Sequence, residues 1–290
     1  MVVTMVKLTH IALFLCLISN ASAYYIMDVA SSTDNVITGA TSIVNVTLTA
    51  RGDETAYDTV LEMRLPDGIT ANKVMFGQTQ PNKSYESQFT ITVNESVMPG
   101  TYVTPIYLYY ADTNGYPLSM VYPLKINVKK YNMPKVGILL KNLELNVDEK
   151  KQMKVTIKND DDIEHEINLY EFFPVVLLVT DMPNSVTIPP KSVKSVDVSV
   201  TTFGALPDSS FTVLMSASYV QDGIRYDSVG ATKVMIPKQT AESSTTKNPL
   251  IYLALAAVLL IAAFLGWKYW KSKKSKPKKK TKSGKDDVSQ

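Results

Sequence analysis

The stretch Leu118-Ser119-Met120-Val121-Tyr122-Pro123-Leu124-Lys125-Ile126-Asn127-Val128 places Leu118, Met120, Tyr122, Leu124, Ile126 and Val128 at every second position. A period of two belongs to a β-strand, because successive side chains there point to opposite faces of the sheet. The same parity recurs upstream. Val44, Val46 and Leu48 alternate with Asn45, Thr47 and Thr49, and Tyr85, Phe89, Ile91 and Val93 share one face. Strands with one apolar and one polar face imply sheets packed face to face with the outer side wet. The region from 24 to 238 therefore reads as almost all strand. Asn114-Gly115 and Asp222-Gly223 each stand between two alternating runs, and the positive φ angles of a tight hairpin favour those dipeptides.

Working outward, the landmarks come in pairs. Val46-Thr47-Leu48 followed by Gly52-Asp53 returns as Val155-Thr156-Ile157 followed by Asp161-Asp162, an offset of 109. Pro81-Asn82-Lys83-Ser84 returns as Pro190-Lys191-Ser192, Pro99 with Tyr102 as Pro207 with Phe211, and Asn114-Gly115 as Asp222-Gly223. Four landmarks in one order make a tandem duplication. It predicts one β-sandwich over 24–130 and a second over 135–238, joined by Lys129 to Pro134.

Both flanks carry targeting signals. Lys7, the apolar run Ile11 to Ile18 and the small residues Ser19-Asn20-Ala21-Ser22-Ala23 predict a signal peptide over 1–23, cleaved after Ala23. Leu15 stands where a lipoprotein signal needs a small residue before Cys16. Cys16 is the only cysteine and leaves with the signal, so the mature chain forms no disulfide. After a Ser/Thr-rich linker over 239–248, Leu250 to Trp267 runs without a charge. That length is close to the ~20 residues that span a bilayer, so a transmembrane helix is predicted over 249–267, with Tyr252 at one end and Trp267, Tyr269 and Trp270 at the other.

Ten lysines follow the span, while the formal charge of the whole chain is only +3, so the body before it is acidic. Positive charge beside a span stays on the cytoplasmic side. The expected topology is single-pass type I at the cell membrane, with the sandwiches outside and the Lys-rich tail 268–290 inside. Lys268, Lys271, Lys273, Lys274, Lys276, Lys278, Lys279 and Lys280 are expected to touch anionic lipid. A tethered tail meets lipid before nucleic acid, so no nucleic-acid partner is expected.

Several of the turn motifs carry a family resemblance. Ala56-Tyr57-Asp58, Leu65-Pro66-Asp67-Gly68-Ile69, Pro81-Asn82-Lys83-Ser84 and Pro99-Gly100-Thr101-Tyr102 resemble, in that order, the Ig-like modules of archaeal S-layer-domain-like envelope proteins. Those modules are similar to NEW3- and CARDB-type adhesion domains. The likeness covers most of 36–128 and, more weakly, 142–236, where Pro207-Asp208 replaces Pro-Gly and the Leu-Pro-Asp-Gly element is missing. It implies an all-β fold of two tandem Ig-like or fibronectin-III-like sandwiches, ahead of the C-terminal transmembrane helix. It further implies a role in envelope structure or recognition, with no catalytic residues to carry over.

The mature chain's inventory agrees with a non-enzyme that takes no cofactor. His10 leaves with the signal, and the remaining His165 lies in phase with Ile163, Ile167 and Leu169, as a partly buried, hydrogen-bonded imidazole would. One histidine and no cysteine cannot build a zinc site of the His/Cys kind, and no nucleophile elbow, P-loop or dinucleotide fingerprint occurs. Asn159-Asp160-Asp161-Asp162 gathers oxygen ligands of the kind calcium takes, against the plainer reading of a solvated turn.

Asn45, Asn82 and Asn94 head three N-glycosylation sequons, all in the first repeat. In Tyr102 to Tyr110 the even positions match a buried face, which leaves Tyr107 and Tyr109 on the other side beside Val121. Exposed aromatics suit a partner surface; packing against the second sandwich or its linker is the alternative. Phe172 to Leu178 offers the reciprocal surface or core. The expected function is a cell-surface structural or interaction protein whose partners are the lipid membrane and other envelope or membrane proteins. Two alternatives stand beside it: an accessory subunit of a membrane transporter or export complex, and a carbohydrate-binding module.

Overall fold

The computed structural model describes residues 25–33, 37, 41–238, 264, 265 and 267. The expected signal peptide, the linker 239–248, the lysine tail and most of the apolar span lie outside the described residues. Among the described residues no helix is long and apolar enough to cross a membrane. The described residues up to Lys238 form one compact unit.

The first half supplies β1 (Tyr25–Thr33), β2 (Thr41–Gly52), β3 (Ala56–Met63), β4 (Ile69–Ala71), β5 (Val74–Thr79), β6 (Lys83–Val93), β7 (Gly100–Val103), β8 (Ile106–Ala111), β9 (Pro117–Tyr122) and β10 (Lys125–Val128). The second supplies β11 (Val136–Leu140), β12 (Leu143–Glu144), β13 (Lys150–Asn159), β14 (His165–Phe172), β15 (Leu177–Thr180), β16 (Ser185–Ile188), β17 (Val193–Thr202), β18 (Ser209–Gln221) and β19 (Ile224–Ile236).

The duplication reappears as topology. One sheet of the first half runs β1-β2-β6-β4 and its counterpart runs β11-β13-β17-β15. The facing sheet runs β5-β3-β8-β9, and the order β16-β14-β18-β19 repeats it. These are the two strand orders of an immunoglobulin-like sandwich. Each half closes over its own core: Val46, Leu48, Leu61, Phe89, Ile91 and Leu108 in the first, and Val155, Ile157, Ile167, Ile188, Val200 and Met215 in the second.

The repeats differ in their last hairpin. In the second half it is continuous from Ser209 to Ile236, with Gln221 paired to Ile224 across Asp222-Gly223. Both turn residues have positive φ (52° and 71°), as the dipeptide predicts. In the first half Pro105 and Pro123 interrupt the two strands opposite one another. Thus the alternation over Leu118 to Val128 is two strands, not one, since proline cannot donate to the ladder. The Asn114-Gly115 turn is also wider than a two-residue hairpin. Ala111 pairs with Pro117, and the Asp112 carboxylate accepts from the amides of Asn114 and Tyr116.

Candidate functional site

The break in the first hairpin lets its outer half leave its own sheet, while Tyr102, Ile126 and Val128 still pack on the first core. β7 and β10 join the second half's sheet, giving the order β10-β7-β19-β18-β14-β16. The join is made where Gly100 lies alongside Arg225 in parallel pairing. The Arg225 amide donates to the Pro99 carbonyl at 2.9 Å, and the Val103 amide donates to the buried Asp227 carboxylate at 3.0 Å. Gly100 has φ +141°, and a Cβ built there would stand 2.0 Å from the Arg225 carbonyl oxygen. Only glycine combines that φ with so close a backbone approach. Among the described residues no strand docks at the matching place of the second repeat, where Asp208 has φ +61°.

Below this join the two halves share an apolar seam. Tyr107 and Val121 are buried with Leu214, and Tyr109, Phe172 and Val229 pack around them. The surface singled out by strand parity is therefore covered by the second sandwich and is not a free partner surface. Parity placed Tyr107, Tyr109 and Val121 off the first core correctly, but this hairpin has both faces covered. In the reciprocal stretch, Phe172 packs on the seam while Phe173, Val176 and Leu177 enter the second core.

Polar groups finish the seam. The Val175 amide donates to Ser119 Oγ at 2.8 Å, and the Tyr116 hydroxyl donates to the Gly204 carbonyl. Arg64 lies over the Tyr107 ring at 5.1 Å and donates to the Tyr109 hydroxyl, which raises the Arg64 pKa above its ordinary value. Burial pushes the Tyr107 phenol up to about 12, against the opposing charge of Arg64.

One cleft, of about 680 Å³, opens beside the join. Arg64, Asp67, Ser96, Tyr102, Tyr170 and Arg225 contribute to its wall, so both sandwiches form it. Arg225 is held against the ring of Tyr102 at 4.9 Å and that of Tyr170 at 5.9 Å. It donates to both oxygens of Asp227, at 2.9 and 3.3 Å. Burial disfavours its charge, but Asp227 outweighs that cost and the pKa stands above the ordinary value. Arg64, Tyr170, Arg225 and Asp227 were not singled out by the sequence patterns. The signal that could have found the join was the change from Pro99-Gly100 to Pro207-Asp208 between repeats.

The acidic turn is a structural knot and does not offer calcium an open set of carboxylates. Asn159 is fully buried, and its amide donates to the carbonyls of Ile163, Ile188 and Pro189. Asp161 is buried between Lys135 Nζ at 2.8 Å and His165 Nε2 at 3.0 Å. Lys135 above all, with the Asp162 amide, holds the Asp161 carboxyl well below the usual range despite burial. His165 also packs at 4.4 Å on Tyr219, whose hydroxyl accepts from the Lys135 amide. Thus the knot ties the end of the inter-sandwich linker to the second sandwich. Among the described residues no group of three or more His, Cys, Asp or Glu is arranged to hold a metal.

The three sequon asparagines are exposed; Asn45 lies in the outer sheet of the first sandwich, and Asn82 and Asn94 stand just outside the two ends of β6. Asn45 lies within β2 opposite Gln88. Asn82 has φ +58° and its side chain reaches the Gly52 carbonyl at 3.5 Å. Asn94 accepts from both the amide and the hydroxyl of Ser96 at 3.1 Å.

No protein-family model and no curated protein matches the sequence. Among solved structures the chain is similar to native E. coli alpha-2-macroglobulin, with TM-score 0.30, 11% identity, and 72% of this chain against 17% of that one covered. It is similar to a protein of unknown function from Porphyromonas gingivalis, with TM-score 0.30, 13% identity, and coverage of 72% and 99%. It is also similar to PapD-like domain 7 of human CEP192, with TM-score 0.29, 9% identity, and coverage of 37% and 90%. At these scores the likeness assigns no activity.

Proposed function

We propose that the chain is a non-catalytic cell-surface module: two sandwiches locked into one body and held outside the membrane by the apolar segment 249–267, with the lysine tail inside. The observation that carries this reading is the seam. Gly100, Asp227 and the cluster around Tyr107 and Leu214 join the sandwiches. A rigid spacer that presents surface needs that joint. The buried His165 and Asp161 likewise serve the linker knot. Sugar on Asn45 and Asn82 would coat the outer sheet of the first sandwich, and sugar on Asn94 would stand beside the cleft. An envelope role is what the resemblance to archaeal S-layer-type modules implies.

Topology is tested by cysteine accessibility, because cleavage after Ala23 would remove the only native cysteine. Single cysteines replace Thr92 and Ser283, and intact cells are treated with a membrane-impermeant maleimide. The reading expects Thr92→Cys to react at once and Ser283→Cys only after the membrane is opened. The opposite pattern would refute it.

A further inference from the structure

The seam cleft exposes Tyr170, which no core cluster includes and the joint does not use. It lies between two sandwiches, a usual place for ligand pockets, and its volume of about 680 Å³ falls in the range of small-ligand sites. Its charges balance locally. Arg225 is matched by Asp227, and Arg64 shares the wall with Asp67. A free anion or cation finds no excess of opposite charge there; a neutral ligand rich in hydroxyls finds fixed donors and acceptors.

The aromatic geometry narrows the class further. Tyr170 stands on β14 with 42% of its surface exposed, and the Arg225 guanidinium lies over the same ring. A flat ring beside a fixed guanidinium–carboxylate pair matches a pyranose. The apolar C–H face of the sugar covers the exposed part of the ring, and an adjacent hydroxyl accepts from the partly exposed guanidinium. A sequon asparagine stands at the rim. Ser96 is part of the wall and bonds to the Asn94 side chain through both its amide and its hydroxyl. The Asn94 amide in turn donates to the carbonyl of Gly68, another wall residue.

From these placements we infer that the cleft between the sandwiches is a saccharide-binding site, with Tyr170 as its stacking platform. The sugar comes either from a chain carried on Asn94 or from a neighbouring glycosylated molecule. The inference rests on the surface-module reading, because sugar chains of both kinds are met outside the membrane.

The test uses the full chain in mild detergent, as produced and as Asn94→Gln. The probes are the methyl glycosides of glucose, mannose, galactose and N-acetylglucosamine, observed by saturation-transfer NMR. A cleft filled by the Asn94 chain shows no free-sugar signal until Asn94→Gln empties it; a cleft serving an outside glycan gives a signal in both forms. In either arm Tyr170→Ala is expected to weaken binding at least tenfold, whereas Tyr170→Phe, which keeps the ring, retains it with an unchanged melting temperature. The inference is overturned if none of the four glycosides binds either form, or if Tyr170→Ala binds as well as the parent. Failure of the surface-module reading would show separately, as reversed cysteine labelling.

Discussion

Replacing Asp227 by alanine is the sharpest perturbation of the joint. This carboxylate is only 2% exposed and pairs with Arg225, whose side chain is 21% exposed. It also accepts the Val103 amide from the other sandwich. Removing one partner of a buried ion pair costs about 3–5 kcal/mol, because the remaining charge keeps its desolvation penalty. The residual exposure of Arg225 argues for the lower part of that range, and the orphaned Val103 amide adds about 1–3 kcal/mol. A total of about 4–7 kcal/mol is expected; for a unit of this size it lowers the melting temperature by roughly 8–28 °C. Calorimetry and urea unfolding of the full chain in detergent measure it. The double change Arg225→Met with Asp227→Ala is expected to recover part of the loss, since no charge is then left buried. A loss below about 1 kcal/mol for Asp227→Ala alone would refute the reasoning.

Other perturbations probe the same body. Gly100→Ala drives a Cβ into the Arg225 carbonyl from a φ of +141°, at an expected cost of about 2–5 kcal/mol from strain and overpacking; hydrogen exchange is expected to quicken at the Val103 and Arg225 amides. Asp161 is held below the usual carboxyl range in the fold, so its contribution is complete above the ordinary carboxyl pKa and is lost as pH falls toward the depressed value. Melting temperatures followed into acid are expected to drop less steeply for Asp161→Asn, from a lower starting point. Tyr107 titrates at about 12 in the fold, so stability is expected to decline as pH rises from the ordinary phenol pKa of about 10 toward that value. Tyr107→Phe removes that part of the decline and one high-pH step from the ultraviolet titration.

Local patterns carried the fold because each sandwich repeats simple rules. Val44, Val46 and Leu48 face a core while Asn45 faces out, as alternation requires. The resemblance motifs prove to be backbone devices: Asp58 sits at φ +51° in a β-bulge, and Gly68 turns the chain at φ +82°. The seam was harder to read because alternation reports which face is covered only when one face is wet. In β9 Leu118, Met120 and Tyr122 pack on the first core while Ser119 and Val121 are buried, so polar–apolar contrast no longer marks a surface. The cleft escaped for a different reason. Its residues come from loops and strands far apart in the chain, and Arg225 and Asp227 look like ordinary surface charges until the neighbouring sandwich covers them. Asn159 and Asp161 looked like a solvated or metal-binding turn for the same reason, since Lys135 and His165 reach them only through the fold.

Whether the two sandwiches move as one body is answered most directly by a distance distribution. Cysteines introduced at the exposed positions Thr92 and Lys154, one in each sandwich, carry spin labels in the full chain for pulsed dipolar spectroscopy. The account predicts a single narrow distance that broadens in Asp227→Ala. A broad distribution in the unaltered protein, like that of two beads on a string, would contradict it.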